Sequence, residues 1–385
     1  MSYLDLGIKE MHKAILSGKV TPFELVKEAL EKAKANKDNA FEYICEKEAL
    51  EMVQNLDESN KDSLLWGIPF ALKDNYSTKG IQTTASSNIL NGYNPIFDSE
   101  VYKKLKEAGA ILIGKTTLDE LAMGGSGTTG HLGKTYNPWD PSHAHQVGGS
   151  SCGSAAACAA GIVPFAIGSD TGDSVRKPAS HACLVGIKPT WSRISRFGLF
   201  PFAPSLDHVA YFTRNVEDSA ILLEVLAGRD YKDSTSSIRE VEKYSANINA
   251  SLSGKKIAVI KEIYDSVSNK EIRSAFENTI EAMKKAGATI DYVSMDINLC
   301  KAIYPTYVVI SCCEATSNNA NLDGIKFGPR YAADDYEKIM TEARTRGFSE
   351  LIKRRFIIGS YCLLRDNRVE TFENAQKCRR LIVDA

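Results

Sequence analysis

Apolar residues recur at helical spacing near the start of the chain. Within residues 7–35 they form two stripes, separated by Thr21-Pro22, a pair that is typical of a helix start. The spacing predicts two helices over 7–35 and a helical N-terminal part over residues 1–60.

Short, unbroken apolar runs predict buried strands further along the chain. The run from Ile68 to Leu72 ends in the charge of Lys73, and a second run at 110–114 follows a predicted helix at 101–108. Strands that alternate with helices indicate an α/β fold. Further strands are predicted at 162–167, 183–187, 256–260 and 289–293, and helices at 117–122, 154–160, 216–226, 270–286 and along most of the chain from residue 302 on.

Composition excludes several classes of protein. The 385 residues carry 47 Lys and Arg against 48 Asp and Glu, so the overall charge gives no support for non-specific binding to nucleic acid. The apolar runs fall well short of the roughly 18 residues that a membrane span needs. The N-terminal residues lack the apolar core of a signal peptide. We therefore expect a cytoplasmic protein without membrane contact.

The cysteines and histidines give no pattern of metal ligands. Nine cysteines and six histidines are scattered along the chain, and no C-x-x-C pair is present. We expect reduced, mostly buried thiols and no metal site.

Two glycine-rich segments match formal binding or catalytic motifs. Residues 125–130 fit the dinucleotide fingerprint G-x-G-x-x-G, and residues 149–153 fit the nucleophile elbow G-x-S-x-G. Both motifs require a preceding strand. Because 117–122 is predicted to be helical and 137–146 to be a loop, neither match is favoured.

A third match concerns the choice of a general base. Residues 174–177 fit S-x-x-K, but Pro178 disfavours a helical conformation at Lys177, so we expect this turn not to form. The other candidate is Lys73. Burial at a strand end would lower its pKa and leave a neutral amine that accepts a proton. The alternative, an ion pair between Lys73 and Asp74, stays open.

Four segments together resemble the amidase signature family. They are Gly67–Asn75, Gly148–Ser154, Gly168–Pro178 and Gly186–Thr190, and Ser150 and Ser174 lie 24 positions apart, which is the family's spacing. Within the family the chain most resembles the A subunits of glutamyl-tRNA(Gln) amidotransferases, and the resemblance covers nearly the whole chain. The segments that indicate this subgroup are 115–124, 136–140, 314–318 and 323–324.

The resemblance implies a fold. We expect the α/β amidase-signature fold, a central mixed β-sheet covered on both faces by helices, in a single domain over residues 1–385. The family's C-terminal segment, with an acidic residue that binds the substrate's ammonium group, has no counterpart in these residues.

The resemblance also implies a Ser–Ser–Lys triad. Ser174 would be the acyl nucleophile, and Ser150, carried on a cis peptide, would relay its proton to Lys73. The acyl oxygen would be bound in an oxyanion hole by backbone N–H groups of the segment that precedes and includes the nucleophile. Arg354 or Arg355 would bind the carboxylate of glutamine. The residues expected in the oxyanion hole are Thr171, Gly172 and Asp173.

The implied activity is the hydrolysis of glutamine, which supplies ammonia for conversion of Glu-tRNA(Gln) to Gln-tRNA(Gln). The implied partners are the B and C subunits of the amidotransferase, which would make most tRNA contacts. ATP and magnesium are expected for the whole complex, and no cofactor is expected on this chain. Two alternatives stay open: a stand-alone amidase for small amides, and a catalytically impaired structural subunit.

Three features depart from the family's pattern. Asp173 and Cys152 stand where glycine is usual, and residues 125–130 replace the subgroup's polar loop. The Asp173 carboxylate would oppose charge in the oxyanion hole, unless it pairs with Arg176 or Lys177. The sequence leaves both outcomes open.

Overall fold

The computed structural model describes residues 2–385, which fall into two compact units. The first runs up to Ser245 and includes Glu314–Phe356, and the second comprises Ala246–Cys313 and Ile357–Ala385. The single domain predicted over 1–385 stays a prediction. The strands are β1 Phe41–Ile44, β2 Pro69–Lys73, β3 Ile111–Thr116, β4 Phe165–Asp170, β5 Val185–Ile187, β6 His208–Thr213, β7 Lys256–Ile260 and β8 Thr289–Val293.

The α-helices account for most of the remaining regular structure. They are α1 Ile8–Leu16, α2 Pro22–Ala35, α3 Glu46–Gln54, α4 Glu100–Glu107, α5 Cys152–Ala159, α6 Arg176–His181, α7 Val216–Leu226, α8 Lys261–Ser266, α9 Lys270–Lys285, α10 Ile297–Asn318, α11 Tyr336–Gly347, α12 Glu350–Leu363 and α13 Asn374–Asp384. None of the helices in residues 2–385 is both long and apolar enough to cross a membrane.

A six-stranded mixed sheet organises the first unit. Its strand order is β1-β3-β2-β4-β6-β5. The central strands β3, β2 and β4 run parallel, and the other pairs are antiparallel. All residues of the three parallel strands are buried, as expected for strands covered on both faces. The mixed α/β sheet that we expected is confirmed.

The register of the parallel strands gathers three loops at one end of the sheet. Leu72 is paired with Ile167, and Lys73 with Thr116. The segments that follow β2, β3 and β4 therefore leave the sheet side by side. These segments begin at residues 74, 117 and 171, and they contain most of the predicted site residues.

Three local predictions differ from the structure. Residues 1–60 contain not only α1, α2 and α3 but also the short edge strand β1. The helix predicted at 117–122 is only a single 3₁₀ turn, Glu120–Ala122, because Leu121 has a φ of 51°, outside the helical region. The expectation that Pro178 prevents a helical turn is also wrong. Pro178 lies in the first turn of α6, where its missing N–H costs no intrahelical hydrogen bond.

The second unit contains the predicted strand–helix–strand segment. Strands β7 and β8 pair in parallel with Lys256 opposite Thr289, and α8 and α9 lie between them in the chain. This confirms the alternation predicted for residues 256–293.

Candidate active site

Lys73 is the last residue of β2, and its side chain is fully buried. Its Nζ lies 2.8 Å from Ser150 Oγ and 2.9 Å from the hydroxyls of Ser151 and Ser169. Burial lowers the pKa of Lys73 to about 7, although the negative charge of Asp119 and Asp170 acts to raise it. A substantial fraction of the amine is therefore neutral near pH 7 and able to accept a proton.

The ion pair considered between Lys73 and Asp74 does not form. The Asp74 carboxylate lies 2.9 Å from Lys115 Nζ, and it also accepts hydrogen bonds from the N–H and hydroxyl of Thr84 at 2.7 and 2.6 Å. That alternative is wrong, because β3 brings a second buried lysine to Asp74. Lys73 is left with hydroxyl and carbonyl partners instead of a carboxylate.

Ser150 is fixed by its backbone and by Asp119. The Gly149–Ser150 peptide bond is cis, and the carbonyl of Ser150 accepts the N–H of Asp119 at 3.1 Å. The Asp119 carboxylate in turn accepts the four consecutive N–H groups of residues 126–129 at 3.0–3.1 Å. A Cβ at Gly149 would collide with Asp119 Oδ2. Asp119 therefore joins the glycine-rich loop to the backbone that carries Ser150.

Ser174 lies in a tight loop between β4 and α6. It is 4% exposed, and its carbonyl accepts the N–H of Ser151 at 3.1 Å, which holds it against the backbone that follows Ser150. The buried Asp170 carboxylate closes the loop, since it accepts the N–H of Val175 at 3.0 Å and the guanidinium of Arg176 at 2.9 and 3.2 Å. Arg176 also donates to the carbonyl of Gly172.

The same loop presents backbone N–H groups with no protein partner. Among residues 2–385, the N–H groups of Thr171, Gly172 and Asp173 donate to no protein acceptor. The Thr171 hydroxyl donates to Asp207 at 2.6 Å, which anchors the start of the loop. Consecutive fixed donors of this kind are suited to bind an oxyanion.

Asp173 is paired with Lys177. Its Oδ2 lies 2.8 Å from Lys177 Nζ, and the two side chains are 48% and 36% exposed. Arg176 is occupied by Asp170, so of the two candidate partners it is Lys177 that forms the ion pair. The Lys177 ammonium is therefore directed to Asp173, which disfavours it as the base for Ser174.

Cys152 lies against the glycine-rich loop, since a Cβ at Gly127 would come within 2.8 Å of Cys152 Cβ. Cys152 begins α5 and is buried, and burial raises the pKa of its thiol to about 12. Its Sγ accepts the hydroxyl of Thr135 at 3.3 Å. The thiol is neutral near pH 7, so Cys152 adds no charge to the site.

The two predicted arginines differ in their surroundings. Arg354 is exposed, whereas the Arg355 guanidinium lies 5.7 Å from the ring of Phe202. The N–H of Phe202 binds Asp207 at 3.0 Å, and Asp207 holds Thr171. The structure thus connects Arg355 with the nucleophile loop and makes no such connection for Arg354.

Sequence reasoning missed Ser151, Ser169, Asn75 and Asp119 as parts of this site. All four are buried. Ser151, Ser169 and Asn75 lie inside the segments that carried the family resemblance, and Asp119 lies in the subgroup segment 115–124. The sequence therefore contained a signal for these residues, because they lie in the matching segments. Their contacts with Lys73, with Ser169 and with the glycine-rich loop could be seen only in the folded structure.

A family model described as Amidase matches residues 24–385. The chain belongs to the amidase family. The A subunit of glutamyl-tRNA(Gln) amidotransferase from Listeria innocua serovar 6a is 40% identical to it over 387 residues, which cover 99% of this chain and 79% of that protein.

Solved structures of other amidases are similar over nearly the whole chain. The crystal structure of the glutamyl-tRNA(Gln) amidotransferase A subunit from Thermotoga maritima has a TM-score of 0.78 and 36% identity, and the match covers 100% of this chain and 76% of that one. The structure of native peptide amidase from Stenotrophomonas maltophilia also has a TM-score of 0.78, with 26% identity. That match covers 93% of this chain and 76% of the other.

Proposed function

We propose that this amidase-family enzyme hydrolyses the side-chain amide of glutamine through an ester on Ser174. One observation carries the proposal: the fully buried Lys73 amine lies 2.8 Å from the Ser150 hydroxyl and has no carboxylate partner. A buried lysine of lowered pKa is suited to act as a general base for a hydroxyl nucleophile.

The proposed acylation moves two protons and forms one bond. Ser174 gives its hydroxyl proton to Ser150 as its oxygen attacks the amide carbon, and Ser150 gives its own proton to Lys73. The positive charge then resides on Lys73 and the negative charge on the tetrahedral oxygen, which the N–H groups of residues 171–173 bind. Return of the proton to the amide nitrogen releases ammonia and leaves the glutamyl ester. Water then hydrolyses this ester by the reverse proton path.

Arg355 is the proposed ligand of the substrate carboxylate. Its side chain packs on Phe202, two hydrogen bonds away from Thr171. A guanidinium recognises a carboxylate by paired N–H donors, and this would set the distance from the α-carbon end of glutamine to the nucleophile.

The ammonia is proposed to serve a multi-subunit, tRNA-dependent amidotransferase. Similarity to proteins named as the A subunit of glutamyl-tRNA(Gln) amidotransferase supports this assignment. The proposed partners are the B and C subunits, which would amidate Glu-tRNA(Gln) with ATP and magnesium bound outside this chain. The protein is proposed to work in the cytoplasm.

A second candidate is a stand-alone amidase that acts on other small amides. It is supported by the similarity to the peptide amidase structure, and it stays second because that structure is 26% identical, against 36% for the amidotransferase structure. The third alternative, an impaired structural subunit, is disfavoured by the Lys177 ion pair, which compensates the charge of Asp173.

Ammonia release from glutamine, with and without the B and C subunits, separates these functions. The proposal predicts release that Ser174→Ala abolishes and that is coupled to amidation of Glu-tRNA(Gln) when the partners are present. Rapid hydrolysis of other small amides without glutamine turnover would favour the stand-alone amidase. The absence of any amide hydrolysis by a folded complex would favour the structural role.

A further inference from the structure

Three serine hydroxyls surround the Lys73 amine at nearly equal distances. Ser150, Ser151 and Ser169 lie 2.8, 2.9 and 2.9 Å from Nζ. The Ser169 carbonyl also accepts from Nζ, at 3.4 Å. A neutral amine has two N–H donors and one lone pair, so only one of the three hydroxyls can donate to it. Lys73 can take a proton from Ser150 only when its lone pair faces Ser150.

The hydroxyl proton of Ser151 already has a hydrogen-bond acceptor. Its hydroxyl donates to the carbonyl of Ser169 at 3.1 Å and accepts the N–H of Ser169 at 3.2 Å. Toward Lys73, Ser151 is therefore an acceptor. The competition for the lone pair is between Ser150 and Ser169.

The direction of the Ser169 proton depends on Asn75. Asn75 is 1% exposed, and its Nδ2 lies 3.0 Å from Ser169 Oγ. Its Oδ1 is buried and has no hydrogen-bond partner. No carbonyl or carboxylate in residues 2–385 accepts the Ser169 hydroxyl proton. A half-turn of the carboxamide would place Oδ1 against Ser169 and pair a buried acceptor with a buried donor.

We infer that Asn75 is a positioning residue: its carboxamide accepts the Ser169 hydroxyl proton, which keeps Ser169 an acceptor of a Lys73 N–H and reserves the lysine lone pair for Ser150. This inference rests on the proposed role of Lys73 as the base. Asn75 contacts neither the substrate nor the reacting atoms. It acts on the proposed reaction only by setting the direction of the Ser169 hydroxyl group.

The test compares Asn75→Leu, Ser169→Ala and the double variant by single-turnover ammonia release from glutamine. In Asn75→Leu the Ser169 proton turns to the lysine lone pair, and we expect the rate constant to fall about three- to tenfold, as two similar hydrogen bonds compete. In the double variant the competing proton is gone, so release should be faster than in Asn75→Leu. If Asn75 were only a packing residue, the two losses would add, and a double variant slower than Asn75→Leu would overturn the inference.

Two further variants keep the outcome interpretable. Asn91→Leu, at an exposed asparagine in a loop, is the matched control and should retain the rate and melting temperature of the parent protein. Ser174→Ala tests the proposed function separately, because full turnover in that variant would show that Ser174 is not the nucleophile. If Ser174→Ala is inactive and Asn75→Leu releases ammonia at the parent rate, only the role of Asn75 is refuted.

Asn75→Asp gives a pH readout that a structural role would not move. A carboxylate can only accept from Ser169, so the productive direction is kept, but its charge raises the pKa of Lys73. The charged and titratable groups that already act on Lys73 are Cys152, Asp119, Asp170 and Asp207. We expect the acid limb of the pH–rate profile to move to higher pH, with a plateau well above the rate of Asn75→Leu. A plateau as low as that of Asn75→Leu would contradict the inference.

Discussion

At Lys73, burial and nearby negative charge act on the ammonium group in opposite directions. Desolvation lowers the pKa, while Asp119, Asp170 and Asp207 act to raise it, and the outcome is about 7. Asp74, the adjacent carboxylate in sequence, is paired with Lys115 instead. A pKa near 7 is well matched to a general base that works at neutral pH.

The first prediction is the pH dependence of acylation. Because the base must be neutral, the single-turnover rate should rise with pH below about 7 and level off above it. Rapid-quench measurement of ammonia release between pH 5 and 9 checks this profile. A rate that does not change across that range would exclude a group of this pKa as the base.

The second prediction concerns the ion pair of Asp173 with Lys177. Lys177→Gln would leave a carboxylate uncompensated beside the proposed oxyanion donors, and kcat for glutamine should fall about three- to tenfold, a modest effect because both groups are partly exposed and screened. Asp173→Gly should have little effect alone and should restore activity in the Lys177→Gln variant.

The double-mutant cycle is decisive for this pair. Losses that simply add would mean that the two residues act independently. A large loss in Asp173→Gly alone would mean that the aspartate itself takes part in catalysis.

Among the elements, the loops that follow β2, β3 and β4 build the site together. Asp119 follows β3 and binds four N–H groups of the glycine-rich loop, while its own N–H holds the carbonyl of Ser150. The geometry of Ser150 therefore depends on a loop that contributes no reacting group itself.

The third prediction tests this connection with Gly149→Ala. The added Cβ would collide with Asp119 Oδ2, and displacement of Ser150 by about 1 Å should reduce kcat about 100-fold or more. Gly7→Ala, before α1 and outside the site, is the matched control, because its Cβ would meet chiefly the flexible end of Glu10. Equal effects of the two substitutions on kcat would refute the proposed connection.

Elements with a strong apolar pattern were predictable, and those defined by tertiary contacts were not. The helix at 216–226 and the buried strands β2 and β3 follow from their unbroken or periodic apolar residues. Strand β1 has only four residues at the sheet edge, so it carries no comparable signal. Pro178 was misleading because its effect depends on its position within the helix.

At the scale of the whole molecule, the sequence identifies candidate residues but not their partners. Lys73, Ser150 and Ser174 were predicted from motifs, and the fold brings Lys73 and Ser150 within 2.8 Å. Pairings between residues far apart in sequence, such as Asn75 with Ser169, depend on the parallel register of β2 and β4. No local pattern contains that register.

The most direct test of the mechanism is to trap the acyl-enzyme. We expect rapid acid quench of the protein with glutamine, followed by peptide mass spectrometry, to find a glutamyl ester on Ser174. In Ser174→Ala this adduct and steady-state ammonia release should both be absent, while the melting temperature stays close to that of the parent protein. An adduct on another residue, or full turnover by the folded Ser174→Ala variant, would contradict the central claim.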